Sequence, residues 1–241
     1  MSNDIHQILA ETKHRSWPLP NKPFTYIQDW NDALFFHWKV DIKSIENLLP
    51  KGLEVHTFDG EAWISIVAFT MNNLQFRNGF PLSFISNFDE INIRTYVIKD
   101  GIAGVYFLSI DVNNKLASFI ANKLSNLPFK FGNMRRNYKN AFQQIAPTKE
   151  IQFSARYQIG KTLTDKTALD EFLTEKYSVY MNIGKQLYRY DVHHLPWKLN
   201  KLWISELVTN YQIANISLQH LPHKMHYSPG VKVLAWKKIK V

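Results

Sequence analysis

Phe88-Asp89-Glu90-Ile91-Asn92-Ile93-Arg94-Thr95-Tyr96-Val97-Ile98-Lys99-Asp100-Gly101-Ile102-Ala103-Gly104-Val105-Tyr106-Phe107-Leu108-Ser109-Ile110-Asp111 is the stretch whose reading decides the fold. Two runs of β-branched and aromatic residues flank the Asp100-Gly101 pair, a strong signal for a two-residue hairpin turn. Such a turn sets Lys99 opposite Ile102. Counting back, Arg94 opposes Phe107, Asn92 opposes Ser109 and Glu90 opposes Asp111. Side chains alternate along a strand, so Ile91, Ile93 and Val97 share one apolar face with Leu108 and Ile110. Glu90, Asn92, Arg94, Ser109 and Asp111 gather on the other. Two arrangements are open. The polar face looks at water, the commoner case in antiparallel sheets, or it lines a barrel interior where a carboxylate and a guanidinium orient a small polar ligand. A slip of one residue on one strand would break up the cluster.

Outward from the hairpin, strand signals dominate. Phe58-Asp59-Gly60 marks a turn, and Glu61 to Met71 is apolar on both alternating faces, as in a strand covered on both sides. Leu34 to Val40 reads as a strand. Asp41 then caps a helix over Ile42 to Leu49 that stops at Pro50. Further strands are predicted near 151–159, 178–183, 186–194, 203–217 and 231–240. Helical spacing appears at Asp4 to Glu11, at Leu116, Phe119, Ile120 and Leu124 behind Asn113 and Asn114, and from Thr167 to about Lys176, where Thr167 and Asp170 form a capping box. This is an α+β chain, mostly antiparallel β, closed or nearly closed into a barrel with a few peripheral helices. No linker divides it, so residues 1–241 read as a single domain. Residues 1–23 form a short helix and an extended arm around Trp17-Pro18-Leu19-Pro20 and Pro23, packed on the rest.

Composition narrows the function. The 45% hydrophobic and 14% aromatic content suits a large core. With no cysteine, disulfides, thiolate metal sites and cysteine nucleophiles are excluded. Met1 to Arg15 lacks the apolar run of an export signal, and no stretch approaches the ~20 apolar residues of a membrane-spanning helix. A cytoplasmic protein is expected, with no membrane partner. The net charge of +9 favours polyanions in general. Its carriers are scattered, however, in small groups such as Arg135, Arg136 and Lys139, or Lys232, Lys237, Lys238 and Lys240. No nucleic-acid reading motif accompanies them, so a solvated basic surface stands ahead of a nucleic-acid site.

Several segments resemble the YqjF-like family of uncharacterised bacterial proteins. They are His14-Arg15-Ser16-Trp17-Pro18-Leu19-Pro20, Phe36-His37-Trp38, Phe58-Asp59-Gly60-Glu61-Ala62-Trp63, Phe88 to Val97, Gly104-Val105-Tyr106-Phe107 and Val192-His193-His194-Leu195-Pro196-Trp197. They run in the family's order over most of the chain. More distantly the chain is similar to acetoacetate decarboxylases, as in Val40-Asp41-Ile42 and Leu48-Leu49-Pro50-Lys51-Gly52-Leu53-Glu54-Val55. That resemblance implies their β-barrel with a buried pocket, and it places Glu90 where those enzymes carry a pocket glutamate. Their reaction needs a lysine amine that is neutral at working pH, a principle for which acetoacetate decarboxylase is itself the standard example. At the corresponding stretch, Leu127-Pro128-Phe129-Lys130-Phe131-Gly132, Phe129 occupies the place of the nucleophile. Only the helper lysine, Lys130, remains. Phenylalanine has no nucleophilic atom, so that chemistry cannot occur there. In a strand Lys130 points opposite to Phe129 and Phe131.

Other chemistries are weaker. His193 alternates with Asp191 and Arg189, the setting of a general base and equally of a hydrogen-bonded structural residue. His220, His223 and His226 are spaced by three, but Pro222 and the strand or helix geometry keep them from meeting at a metal. No GxSxG elbow and no phosphate-binding loop is present. Arg15, before the proline arm, either folds across a barrel mouth to hold an anion or lies on the surface.

The reading is a barrel that binds a small polar or anionic organic molecule, with no metal and no organic cofactor. Glu90, Lys130 and His193 are the candidate catalytic residues; Asn92, Arg94, Tyr106, Trp197 and Arg15 are the candidate ligand contacts. Whether the chain is an enzyme stays open. The alternatives are a lysine-dependent decarboxylase or aldolase acting through Lys130, and a basic nucleic-acid-interacting protein. A second copy of the chain is left open as a partner.

Overall fold

The computed structural model describes residues 3–82, 85–114, 129–137, 141–145 and 152–241. In chain order these carry helix α1 (Asn3–Ala10), β1 (Tyr26–Val40), α2 (Ile42–Glu46), β2 (Glu54–Val55), β3 (Ala62–Phe76), β4 (Phe88–Lys99), β5 (Ile102–Val112) and β6 (Phe129–Phe131). They continue with β7 (Asn133–Asn137), β8 (Ala141–Ile145), β9 (Gln152–Thr162), α3 (Ala168–Thr174), β10 (Ser178–Ile183) and β11 (Gln186–His193). The last are β12 (Asn200–Asn210), β13 (Gln212–Ile213), β14 (Ile216–Ser217), β15 (Lys224–Ala235) and β16 (Ile239–Lys240). The helix read around Leu116 to Leu124 lies outside the described residues.

The hairpin turns where the Asp-Gly pair predicts. Asp100 and Gly101 both take positive φ, 50° and 76°, as a tight two-residue turn demands. Lys99 pairs with Ile102, and Arg94 with Phe107. Farther along, the register slips by one residue at Leu108. Ile93 pairs with Ser109, Asn92 with Ile110, Ile91 with Asp111 and Glu90 with Val112. This corrects the expected clustering. A bulge inverts every face beyond it, so Ser109 and Asp111 leave the side of Glu90 and Asn92, and Ile110 joins it.

Seven strands pair in a closed circuit: β1–β3–β4–β5–β10–β11–β15 and back to β1. All of these pairings are antiparallel except the parallel contact between β5 and β10. At that contact a Cβ on Gly104 would run into Ser178, so the close approach requires glycine. The circuit closes through Val192 with Ala235 and His193 with Leu234.

A second layer covers one outer side. Strand β12 joins β15 at Asn200 and Tyr227, and β9 pairs along β12. Outward residues Ile64, Ile66 and Ala68 of β3 and Ile91 and Ile93 of β4 pack there against Phe153, Ala155 and Leu202. Inward residues Val67, Phe69 and Met71 of β3 pack with Phe35, Phe88 and Ile110. This is why the run after Glu61 carries apolar residues on both alternating faces. Helix α3 begins in the predicted capping box of Thr167 and Asp170. Its Phe172 and Leu173 plug one end of the circuit against Trp63, Tyr96, Val105 and Val179. Outside, Ile5 and Ile8 of α1 pack on Phe24, Ile27, Leu234 and Trp236. No helix among the described residues is long and apolar enough to cross a membrane.

Candidate functional site

Between the strands of the circuit lies a half-open cavity of about 530 Å³ to which all seven strands contribute. Its wall is apolar and aromatic, with Trp30, Phe69, Met71, Phe88, Phe107 and Ile110, and Lys237 and Lys238 border it. Glu90 is the one carboxyl among the lining residues. Strand β4 delivers it there because even-numbered residues of this strand face inward, and only 5% of Glu90 is exposed. Burial pushes its carboxyl up to about 7; Asn92 opposes this by donating from Nδ2 to Oε1 at 3.1 Å, and the charge of Asp111 adds to the rise. The other polar atom of Asn92, Oδ1, is buried without a partner.

Toward α3 the inward residues become polar and satisfy one another. Asp170 Oδ1 lies 2.7 Å from His226 Nε2, and His226 Nδ1 lies 3.3 Å from His37 Nε2. His37 Nδ1 is 2.6 Å from Ser65 Oγ, which is 2.6 Å from the Tyr96 hydroxyl. The Tyr96 hydroxyl also lies 2.8 Å from the Leu173 carbonyl. All five side chains are buried. Burial alone would raise the Asp170 carboxyl, but Lys224 at 2.9 Å, the Thr167 hydroxyl and amide, and His226 together hold it far below the usual carboxylate range. The ionised Asp170 fixes the hydrogen of His226 on Nε2. His226 Nδ1 then accepts from His37, and His37 Nδ1 accepts from Ser65. Burial holds both imidazoles neutral, with Arg94 and Lys224 adding to the effect at His37.

Arg94 lies between these two zones. Its Nη2 donates to the Leu173 carbonyl at 3.1 Å, while Nε is buried without a partner. Its Cζ stands 5.8 Å from the ring centre of Phe35 and 5.9 Å from that of Tyr96. Lys176, just beyond α3, brings its Nζ to 4.3 Å from the Phe172 ring centre and 5.5 Å from that of Tyr96. Burial first and the charge of Arg94 second, opposed by Glu175, lower the Lys176 amine to about 7.

The other predicted site residues lie elsewhere. His193 faces outward: its Nε2 donates to the Ile8 carbonyl at 2.7 Å and its ring stacks on His14, so it fastens α1 rather than meeting the cavity. Arg15 donates to the Val192 carbonyl at 2.7 Å and sits 4.8 Å from the Trp17 ring centre, pinning the arm to β11 instead of crossing the mouth. Tyr106 packs outside, against Leu53, Val97, Tyr180 and Leu187. Trp197 is buried behind the cavity wall, stacked at 6.2 Å on Trp30. Lys130 is exposed and pairs with Asp111, on the outward side of β5. Position 129, where a decarboxylase nucleophile would stand, pairs through its backbone with cavity-lining Ile110.

Sequence reasoning missed His37, Ser65, Tyr96, His226 and Lys176, and saw Asp170 only as a helix cap. The one available signal was polar: His37 and Ser65 interrupt otherwise apolar strands. The spaced histidines separate as expected, since His226 turns inward while His220 and His223 stay exposed.

This is the class of strand-built, antiparallel-dominated folds seen in acetoacetate decarboxylase and its structural relatives. The enduracididine biosynthesis enzyme MppR complexed with pyruvate superposes with a TM-score of 0.63 at 11% identity, over 95% of this chain and 94% of that one. Acetoacetate decarboxylase from Legionella pneumophila superposes with a TM-score of 0.61 at 13% identity, over 95% and 93%. At such identities the likeness establishes the fold alone. By sequence, the chain belongs to the DUF2071 family, described as "Uncharacterized conserved protein (COG2071)", whose model matches residues 27–232. Uncharacterized protein YqjF of Bacillus subtilis (strain 168) is 35% identical over 216 residues, 87% of this chain and 89% of that protein.

Proposed function

We propose that this chain binds a small organic molecule with an apolar body and a polar or anionic head inside the barrel. The observation that carries this is Glu90, the single carboxyl in the apolar wall of a 530 Å³ cavity. The volume falls within the ~300–1,000 Å³ usual for small-molecule sites. With its carboxyl near 7, Glu90 donates a hydrogen bond to a ligand oxygen at mildly acidic pH and accepts one at basic pH. No step through Lys130 is proposed, because its side chain is outside the cavity.

Calorimetric titration with hexanoate, octanoate and phenylacetate, and with their amides, tests this reading. Saturable binding of at least one probe is expected, weakened about tenfold or more by Glu90→Gln and by cavity-filling Ile110→Phe. Absence of binding by every probe, or binding indifferent to both substitutions, overturns it.

A further inference from the structure

We propose that Arg94 and Lys176 form a subsite for a carboxylate group, built on the Tyr96 and Phe172 rings at the inner end of the barrel. The proposal rests on the cavity reading above, since the occupant enters through the same space. Phe107, the cross-strand partner of Arg94, and Val179, on the level of Val105 and Tyr96, both line the cavity.

Two buried or half-buried cations stand here without a counterion. Among the described residues, no carboxylate lies within ion-pair distance of either. The acids nearest in the chain are committed elsewhere. Glu175 Oε1 is 2.9 Å from Lys166 and accepts from the Trp197 amide, and its Oε2 accepts from Tyr177 at 2.6 Å. Asp170 is taken by Lys224, His226 and Thr167. Leaving charge buried and unpaired costs several kcal/mol. Here the cost falls on Lys176, which gives up its proton near neutrality. An arriving anion would restore that proton, pair with the free Nε of Arg94 and remove the penalty.

The geometry points to a monoanionic carboxylate. The last turn of α3 presents its Leu173 carbonyl to Arg94, and the negative end of a helix disfavours a dianion such as phosphate. The hydrogen-bonded row from Asp170 to Tyr96 is a positioning device. It holds the Tyr96 ring, whose centre lies 5.9 Å from Arg94 Cζ and 5.5 Å from Lys176 Nζ, without contributing charge of its own at that end.

Carbon-13 NMR of protein labelled at lysine Cε tests the proposal, with Lys176 assigned through Lys176→Arg. The groups facing its amine are Arg94 and Tyr96 from β4, Glu175 beside it, and His56. In sodium chloride its titration midpoint is expected near 7. Replacing chloride by acetate or butyrate at equal ionic strength, about 0.1 M, should raise the midpoint above about 8. Arg94→Met should raise the chloride midpoint and abolish the butyrate effect; Arg94→Gln serves if that variant fails to fold. Glu90→Gln, which alters neither cation, should raise the butyrate concentration needed but leave the midpoint reached at saturation, so failure of the Glu90 reading and failure of this one are separate results. An ordinary lysine midpoint in chloride, no response to either carboxylate, or a butyrate effect that survives loss of Arg94 overturns the subsite.

Discussion

The two ends of the barrel interior bury polar groups in opposite ways. Around the cavity a single carboxyl, Glu90, stands in an apolar wall with one amide as its hydrogen-bond donor. Beneath α3, five side chains from five elements satisfy one another in an unbroken row. The first arrangement leaves a group poised to change protonation, because little but burial acts on it. The second locks protonation states, because each hydrogen is already assigned to a neighbour. A titratable group beside open space belongs to the first zone and a fixed set of hydrogens to the second.

The most damaging way to break this contrast is Asp170→Ala. It removes the capping partner of Thr167 and strands His226 and Lys224, and it should cost roughly 3–5 kcal/mol in urea unfolding at neutral pH. A loss below about 1 kcal/mol would mean that the row does not hold α3 in place.

Glu90→Gln should act in the other direction. A carboxyl whose folded pKa is raised to about 7 from 4.5 binds its proton more tightly when folded, so its burden on stability grows as pH rises between those values. The substitution should therefore stabilise the protein by about 3 kcal/mol above pH ~8 and by almost nothing near pH ~4. The buried histidines have the opposite sign. His193 and His194, lowered by burial to about 4 from 6.5, lose stability as pH falls through that window. Only the difference between wild type and variant isolates Glu90, and a difference that stays flat with pH would show its carboxyl to be ordinary.

Ser65→Ala tests the row at its middle. It leaves His37 Nδ1 and the Tyr96 hydroxyl each one partner short, and a cost of about 2 kcal/mol in thermal or urea unfolding is expected. The smallest effect should come from Ile110→Phe, which extends into the cavity rather than into packed atoms. Stability within about 1 kcal/mol of wild type, together with weakened probe binding, is expected. A larger penalty would show that the space is not free.

Much of this fold was legible in short-range chemistry. Asp100-Gly101 set the hairpin tip, Asp41 and the Thr167–Asp170 pair capped their helices, and the run after Glu61, apolar on both faces, announced a strand covered on both sides. The site was legible only in part. Glu90 is among the residues lining the cavity, but Leu108 bulges and carries Ser109 and Asp111 to the other side. Nothing in the spacing of that strand marks the extra residue. Lys176 was read merely as the end of a helix, and His226 as one of three spaced histidines.

The sequence by itself determined the elements, their caps and turns, and the alternation that gives β4 one polar edge, since these follow from contacts between residues close along the chain. Only the tertiary structure decided which polar residues meet. His37, Ser65, Tyr96, Asp170 and His226 lie on different elements and are joined by the closure of seven strands and the seating of α3. Hydrogen bonds reach barely 3 Å, so partners distant in sequence are fixed by register and packing, which no local pattern encodes.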